Sequence, residues 1–402
     1  MKLSERGWFL RLAKVVLLIG ALSLPPSALK AQFVVKDHPV GANEIRIGMV
    51  NDQSGALGGG QIGIKEGCLA YFKRVNEAGG IYGRKLVLFD YDDRYEPLET
   101  VSLTARLIND DKVFSLIGYR GTPTCDAVAS MIREADITLF GPFTGSRSLR
   151  EPSMSMVYCL RPSLSYEISV VVDHLVHDLG TKRVAFFGQA DSLGENGESG
   201  LESALAGYDL KIAAVGKYVR NSVDLESALD QIVPASPDAI VMAATPQSAI
   251  NFLVEARRRG LRHTVFLMLS SIPIEQFPGV PEGDLENLFL SKLVPSPQDS
   301  SIPFARAFRR DMRNFSREKL TYLSFEAYLD AAAFVAGLKA AGPDLSQASL
   351  RQALDHLDVD LGGFSIRFTP RDHTGSHAIF LNRVRNGRLE PVATLAPPHD
   401  RD

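Results

Sequence analysis

The sequence predicts an α/β fold of two doubly wound lobes with parallel sheets, joined by a three-strand hinge. Three observations carry this. From residue 44 onward, short apolar runs alternate with amphipathic helical stretches. The series occurs twice in tandem, with no Gly/Ser or Pro tether between the copies. The chain has 402 residues, too many for one ordinary core.

The N-terminus differs in kind from the rest. Lys2, Arg6, Arg11 and Lys14 face a single Glu5, and an apolar run from Val15 to Leu24 follows. Pro25 and Pro26 break the run ahead of small residues Ser27, Ala28 and Ala31. This pattern predicts a cleavable secretory signal over 1–31 and export to the periplasm. The run is about half the length of a spanning helix. No Cys follows it, so a lipid-anchored form is not expected. Removing 1–31 leaves 39 basic against 46 acidic residues, a formal charge of −7. With no basic run in the body, nucleic acid is excluded as the main partner.

The elements follow in order. Ile45 to Val50 reads as a buried strand. Ile64, Cys68, Phe72 and Val75 share one helical face, and Gly79-Gly80 stops that helix. Leu86 to Phe89 is the next strand. Pro97 opens a helix striped by Leu98, Val101, Ala105 and Ile108. Val113 to Ile117 is a strand, Pro123 opens another helix, and Ile137 to Phe140 is a strand. The second series has a helix over Ile168, Val172, Leu175 and Leu179, then strands at 183–187, 211–215, 238–242 and 264–268, with a clear helix over 246–259. Helical stretches at 303–315, 323–341 and 345–357 have no strands of their own and are expected to return to the first unit. Strands at 362–368 and 377–384 are expected to return to the second. The resulting lobes are 44–160 plus 296–358 and 161–290 plus 362–395, with crossings near 158–162, 290–297 and 358–366. Three crossings permit one bending mode and suit ligand-driven closure.

Cys68, Cys125 and Cys159 each sit in apolar stretches and read as buried core residues. No Cys/His spacing suits a metal; His373 and His377 flank a turn-like stretch, not a helix face. Gly58, Gly60 and Gly63 match G-x-G-x-x-G, but Asn51 to Leu57 separate them from the strand, so no dinucleotide cofactor is expected. No nucleophile elbow, H-E-x-x-H or P-loop is present, and the Asp90, Asp92, Asp93 cluster reads as loop capping. No enzyme activity, cofactor or metal is expected.

In open α/β sheets, ligands sit beyond the carboxyl ends of the strands. In the first unit the loops there are 51–61, ending at Gln61, 119–124 and 142–148. In the second they are 189–196, 244–248 and 269–274. Tyr119, Arg120 and Thr122 offer an aromatic face, a fixed cation and a hydroxyl; Phe143 and Thr144 offer another aromatic and hydroxyl. Arg120 stands out, because a guanidinium can grip a carboxylate at two points.

These residues resemble a known family. Phe72 to Arg94, FKRVNEAGGIYGRKLVLFDYDDR, is similar to the N-A-G-G-x-x-G-R-K segment and following D-D of type I periplasmic binding proteins, in the leucine/isoleucine/valine and amide ABC transporter branch. Further likeness lies in Gly118 to Thr124, Gly141 to Leu149, Leu160 to Ser163, Tyr322 to Tyr328 and Gly362-Gly363-Phe364. The resemblance implies two Rossmann-like lobes, three crossovers, a small-molecule ligand in the cleft, delivery to membrane permease subunits, and a monomer. By position it implies that Thr122, Phe143, Thr144 and Gly145 grip the ligand carboxylate, with Tyr322 on the same side. In the second lobe it implies contacts from Leu193, Ala244 or Thr245, and Ser271.

The sequence departs from the pattern in four places. Amino-acid-binding members place an acid near Ser271 for the ammonium, and here Ser270-Ser271-Ile272 stands instead. An aromatic common at Ala244 is missing, Arg120 stands where an apolar residue is expected, and the family's cysteine pair is absent. A buried ammonium without a partner is costly, so an α-amino acid is disfavoured unless Asp191 substitutes. The ligand is thus amino-acid-like, an amide or a carboxylate. The alternative function is a ligand-sensing subunit of a membrane signalling receptor, which neighbouring kinase or cyclase genes would mark.

Overall fold

In this computed structural model, the described residues are 36, 38–273, 277, 279–315, 320–385 and 387–395, with backbone alone for 58–62. The expected signal segment lies outside them. Among them, no helix is long and apolar enough to cross a membrane.

The first apolar runs form an all-parallel sheet. Its strands are Glu44–Asn51 (β1), Lys85–Asp92 (β2), Ser115–Ile117 (β3), Leu139–Phe140 (β4) and Val157–Tyr158 (β5), in the order β2-β1-β3-β4-β5. Between them run Gly58–Glu77 (α1), Pro97–Asn109 (α2) and Thr122–Ala135 (α3). The expected face of α1, Ile64, Cys68, Phe72 and Val75, is buried against one side of the sheet. Helices α2 and α3 bury Leu107, Ile108, Val128 and Ile132 against the other. The N-E-A-G-G segment has a local cause. The Asn76 amide donates to the Leu86 carbonyl at 2.9 Å and accepts from the Leu86 N–H at 2.8 Å, tying the end of α1 to β2.

The second series gives Leu164–Leu179 (α4), Val184–Gln189 (β6), Ser192–Ala206 (α5), Ile212–Tyr218 (β7), Glu226–Ile232 (α6), Ala239–Ala243 (β8), Pro246–Arg258 (α7), Val265–Met268 (β9) and Leu288–Lys292 (β10). The chain then forms Pro303–Phe315 (α8), Tyr322–Ala340 (α9), Gln347–Leu354 (α10), Asp358–Asp360 (β11), Ser365–Arg367 (β12), Phe380–Arg385 (β13) and Arg388–Pro391 (β14). The second sheet runs β14-β13-β10-β9-β8-β6-β7. Its first five strands in sequence are parallel, while β13 and β14 add antiparallel edges. A β10–β13 pair can run antiparallel because the chain returns from the other lobe and needs no crossover helix.

Helices α8, α9 and α10 cover the first sheet: Phe308, Phe325, Tyr328, Phe334 and Leu354 share the core of α1. Helix α9 is buried nearly all round. It crosses α1 at backbone contact, because a Cβ on Gly67 would lie 2.1 Å from the Ser324 carbonyl oxygen. The chain therefore passes between the lobes after β5, after β10 and after β12.

One boundary differs from the sequence reading, which placed 362 onward in the second lobe. Strand β12 instead pairs with β11 in a separate antiparallel ribbon, and Ile366 and Phe368 enter the first core. Gly362 and Gly363, at φ 76° and 107°, make the turn that folds β12 back. The third passage therefore follows Phe368. The three cysteines are free and buried, and burial pushes their thiols up.

Candidate functional site

The carboxyl ends of both sheets face one cleft, and the loops there enclose a residual cavity of about 40 Å³. Eight of the expected residues line it: Arg120, Thr122, Phe143, Thr144 and Gly145 from the first lobe, and Leu193, Thr245 and Ser271 from the second.

Each is fixed from below. Arg120 and Phe143 form a parallel bridge beyond β3 and β4, with the Phe143 N–H donating to the Tyr119 carbonyl at 2.6 Å. Gly121 sits at φ 102°, where a Cβ would strike the Tyr95 ring at 2.5 Å, so the loop before α3 demands glycine. The Thr122 and Thr144 hydroxyls share a hydrogen bond at 2.8 Å, and the Ser146 N–H donates to Thr144 Oγ1 at 3.1 Å. On the opposite wall, the Thr245 N–H donates to the Tyr218 hydroxyl at 2.8 Å.

Three expected residues are not brought in. Tyr119 is a core residue, its hydroxyl bonded to Thr104 Oγ1 at 3.0 Å. Successive side chains beyond a strand end point oppositely, so aiming Arg120 into the cleft sends Tyr119 the other way. Tyr322 opens α9 with the Lys292 ammonium 5.7 Å from its ring and does not line the cavity. Gln61 falls within α1, and its side chain lies outside the described residues. Asp191, the proposed ammonium partner, is already engaged. It caps α5 by accepting from the Leu193 N–H at 3.0 Å, and it accepts from Gln189 Nε2 at 2.6 Å.

The sequence reading missed Tyr95, Arg161, Glu167 and Ser270, which also line the cavity. Tyr95 follows β2 at φ 60°, a kink that no apolar pattern announces. Glu167 did leave a signal, a charge at helical spacing between Leu164 and Val171 on the buried side of α4. Its carboxylate accepts from the Ser270 N–H at 2.7 Å, from Ser270 Oγ at 3.0 Å and from Ser291 Oγ.

Arg161, in the first passage between lobes, pairs with Glu326 of α9. Nη2 donates to Oε2 at 2.9 Å, and Nε lies 2.6 Å from Oε1 but off the line of a hydrogen bond. Nη1 donates to Ser270 Oγ at 3.2 Å, and the guanidinium lies 5.0 Å from the Phe143 ring centre. Burial raises the Glu326 carboxyl, and Arg161 opposes that rise. One turn on, burial and then the Glu326 charge hold the Asp330 carboxyl well above the usual range.

Arg120 is 3% exposed. Burial first, and the nearby Arg161 charge second, bring its guanidinium down to about 10. Nη1 donates to the Leu57 carbonyl at 3.3 Å, and Nη2 donates across the cleft to the Ser271 carbonyl at 3.1 Å. Other bonds also join the lobes. Gln189 Nε2 donates to the Tyr95 hydroxyl at 3.1 Å, and Arg220 Nη1 donates to the Tyr95 carbonyl at 2.7 Å and Glu96 Oε2 at 2.9 Å.

Asp93 shapes the Tyr95 turn, accepting from the Tyr95 N–H at 3.0 Å and Thr100 Oγ1 at 2.8 Å. Burial pushes its carboxyl up to about 6, from 3.8 in an open chain. Folding therefore takes up a proton between those two values. The stability that Asp93 contributes falls as pH rises through that window and stays lower above it. Asp93→Asn is expected to flatten this slope and to stabilise the protein at pH 8 by about 2 kcal/mol. Urea unfolding at pH 5 and pH 8 checks it; an unchanged slope would assign the pH dependence elsewhere.

Comparison with known proteins matches this geometry. The family model for periplasmic binding proteins covers residues 44–388. The crystal structure of a possible leucine/isoleucine/valine-binding protein from Rhodopirellula baltica SH 1 superposes with a TM-score of 0.82 at 26% identity, covering 88% of this chain and 98% of that one. A substrate-binding periplasmic protein from Ralstonia solanacearum gives 0.80 at 29% identity, covering 87% and 100%. The amino acid binding protein of Pseudomonas aeruginosa is 22% identical over 187 residues, 46% of this chain and 50% of its own length. The chain thus spans about half the length of that curated relative. Because one family model runs from β1 into β14, through both sheets and all three passages, the chain belongs to the periplasmic binding protein family, as a type I member of the branch that holds the leucine/isoleucine/valine-binding proteins.

Proposed function

We propose that this chain is the extracytoplasmic solute-binding protein of an ABC uptake system. It takes one small amino-acid-like, amide or carboxylate solute into the cleft and presents the closed form to membrane permease subunits. One observation carries the reading: the cavity wall is divided between two lobes, so a solute touching Thr122 and Thr144 also meets Thr245 and Ser271 only when the lobes close. A solute that bridges both lobes favours closure by its differential affinity for the closed form. Chemistry on the solute is no part of the reading, which has it leave unchanged. The names of the relatives, amino acid and leucine/isoleucine/valine binders, support the class of solute.

The test is a thermal-shift screen of the purified protein against amino acids, amides, short carboxylates and aromatic acids, followed by small-angle scattering with the best hit. A solute at 100 times its Kd stabilises the folded form by about 2.7 kcal/mol, which raises Tm by several degrees. The expected result is at least one such hit, a smaller radius of gyration in its presence, and recovery of the solute unaltered. A panel without any shift, or a radius indifferent to the hit, would sink the reading.

A further inference from the structure

We infer that the solute is an anion, a small carboxylate carrying no ammonium group, gripped by Arg120 with its apolar body against Tyr95, Phe143 and Leu193. This rests on the solute-binding reading above.

The charged groups around the cavity are unequally satisfied. Among the described residues that line it, Arg120, Arg161 and Glu167 are ionisable at neutral pH. Arg161 is answered by Glu326. Both Glu167 oxygens are engaged by Ser270 and Ser291. Arg120 makes no ion pair among the described residues; its two hydrogen bonds go to the Leu57 and Ser271 carbonyls. A guanidinium has five N–H donors in a planar fork matched to a carboxylate. A buried cation with spare donors and no paired carboxylate is costly even with the Asp52 charge nearby, and a ligand carboxylate reduces that cost. The carboxylate would take the place of the Ser271 carbonyl, the one Arg120 partner contributed by the other lobe.

The backbone adds to the same sign. The first-turn residues Thr122 of α3, Leu164 of α4, Leu193 of α5 and Pro246 of α7 all line the cavity. Four helix N-termini therefore turn their partial positive charge toward one small space. An ammonium there would face this field with every nearby acid already engaged: Asp52 by the Gly55 and Leu57 N–H groups, Asp191 by Leu193 and Gln189, Glu326 by Arg161. Leu57, Tyr95, Phe143, Leu164 and Leu193 also line the cavity, and their apolar and aromatic surfaces suit a hydrocarbon body.

Matched triplets separate charge from shape. Isothermal titration compares isocaproate, leucine and isocaproamide, which share a carbon skeleton, and likewise hydrocinnamate, phenylalanine and hydrocinnamamide. In at least one triplet the acid is expected to bind at least about tenfold more tightly than its amino acid and its amide. Arg120→Met is expected to weaken the acid by about 100-fold and leave the amide within about threefold. Arg120→Lys, which keeps the charge but loses the fork, is expected to weaken the acid by about tenfold. It serves as the test variant if the melting curve shows that Arg120→Met does not fold. An amino acid or amide binding as tightly as its acid overturns the inference, as does acid affinity indifferent to both Arg120 variants. If neither triplet binds while the thermal-shift panel yields an amino acid or an amide, the inference falls and the solute-binding reading stands; an acid from the panel takes the triplet's place, compared with its own amide and against the Arg120 variants. If the panel is also blank, both fall.

Discussion

Glu326→Gln is expected to destabilise the protein by about 3–5 kcal/mol, measured by guanidinium unfolding at neutral pH. The Arg161 and Glu326 side chains are each 6% exposed, so the pair is out of reach of solvent screening. Removing the carboxylate charge leaves the Arg161 guanidinium buried without its ion pair, bonded to Ser270 Oγ and set beside the Phe143 ring. The cost comes from the stranded cation more than from the lost attraction. The double variant Arg161→Met with Glu326→Leu should therefore recover most of the loss. A single-variant loss under about 1 kcal/mol, or a double variant no better than the single, would mean that the pair is not ionised in the native state. The pair also joins the first passage between lobes to α9, so the same substitution should loosen the hinge side of the cleft.

Phe187→Ala is expected to cost about 3–5 kcal/mol and to weaken solute binding as well. The Phe187 ring lies between two others, 3.9 Å from Phe252 and 5.3 Å from Tyr218, both nearly parallel to it. Tyr218 in turn holds the Thr245 N–H and meets the Gln189 side chain at the cleft. A cavity at 187 therefore removes the support of a cleft wall. Phe266→Ala is the control: Phe266 is as fully buried in the same core, but it packs under Arg257 on strand β9. The two variants should melt alike, and only Phe187→Ala should raise the solute Kd. Equal binding by both would mean that Thr245 keeps its place without the ring stack.

What the sequence made legible followed from periodicity and chain-breaking residues. The α1 stripe, the helix opened by Pro97 and the buried runs of β6, β8 and β9 could be read because burial on one or both faces dictates residue type there. The loops at strand ends were found by the same logic, and they brought eight residues to one cavity. Which way a loop residue points was not legible. Tyr119 and Arg120 are adjacent and both plausible, and only the backbone decides which one faces the cleft. Tyr95 depends on a left-handed turn, and the Arg161–Glu326 pair depends on two residues 165 positions apart. Strand β12 read as a strand, but its partner was set by the glycine turn at 362–363 rather than by its own pattern.

The crossing of α1 with α9 also governs when the molecule can come into being. Helix α1 ends at Glu77, yet the surface that covers it begins at Pro303; the Cys68 thiol even donates to the Ala327 carbonyl, 259 residues away. A growing polypeptide therefore carries the bare apolar side of α1 until its last quarter emerges, and the second sheet waits for β13 as well. Such distant closures are slow, because loop entropy is spent before any contact repays it. Assembly is thus an event of the finished chain, and its early stretches must be kept from sticking to one another until then.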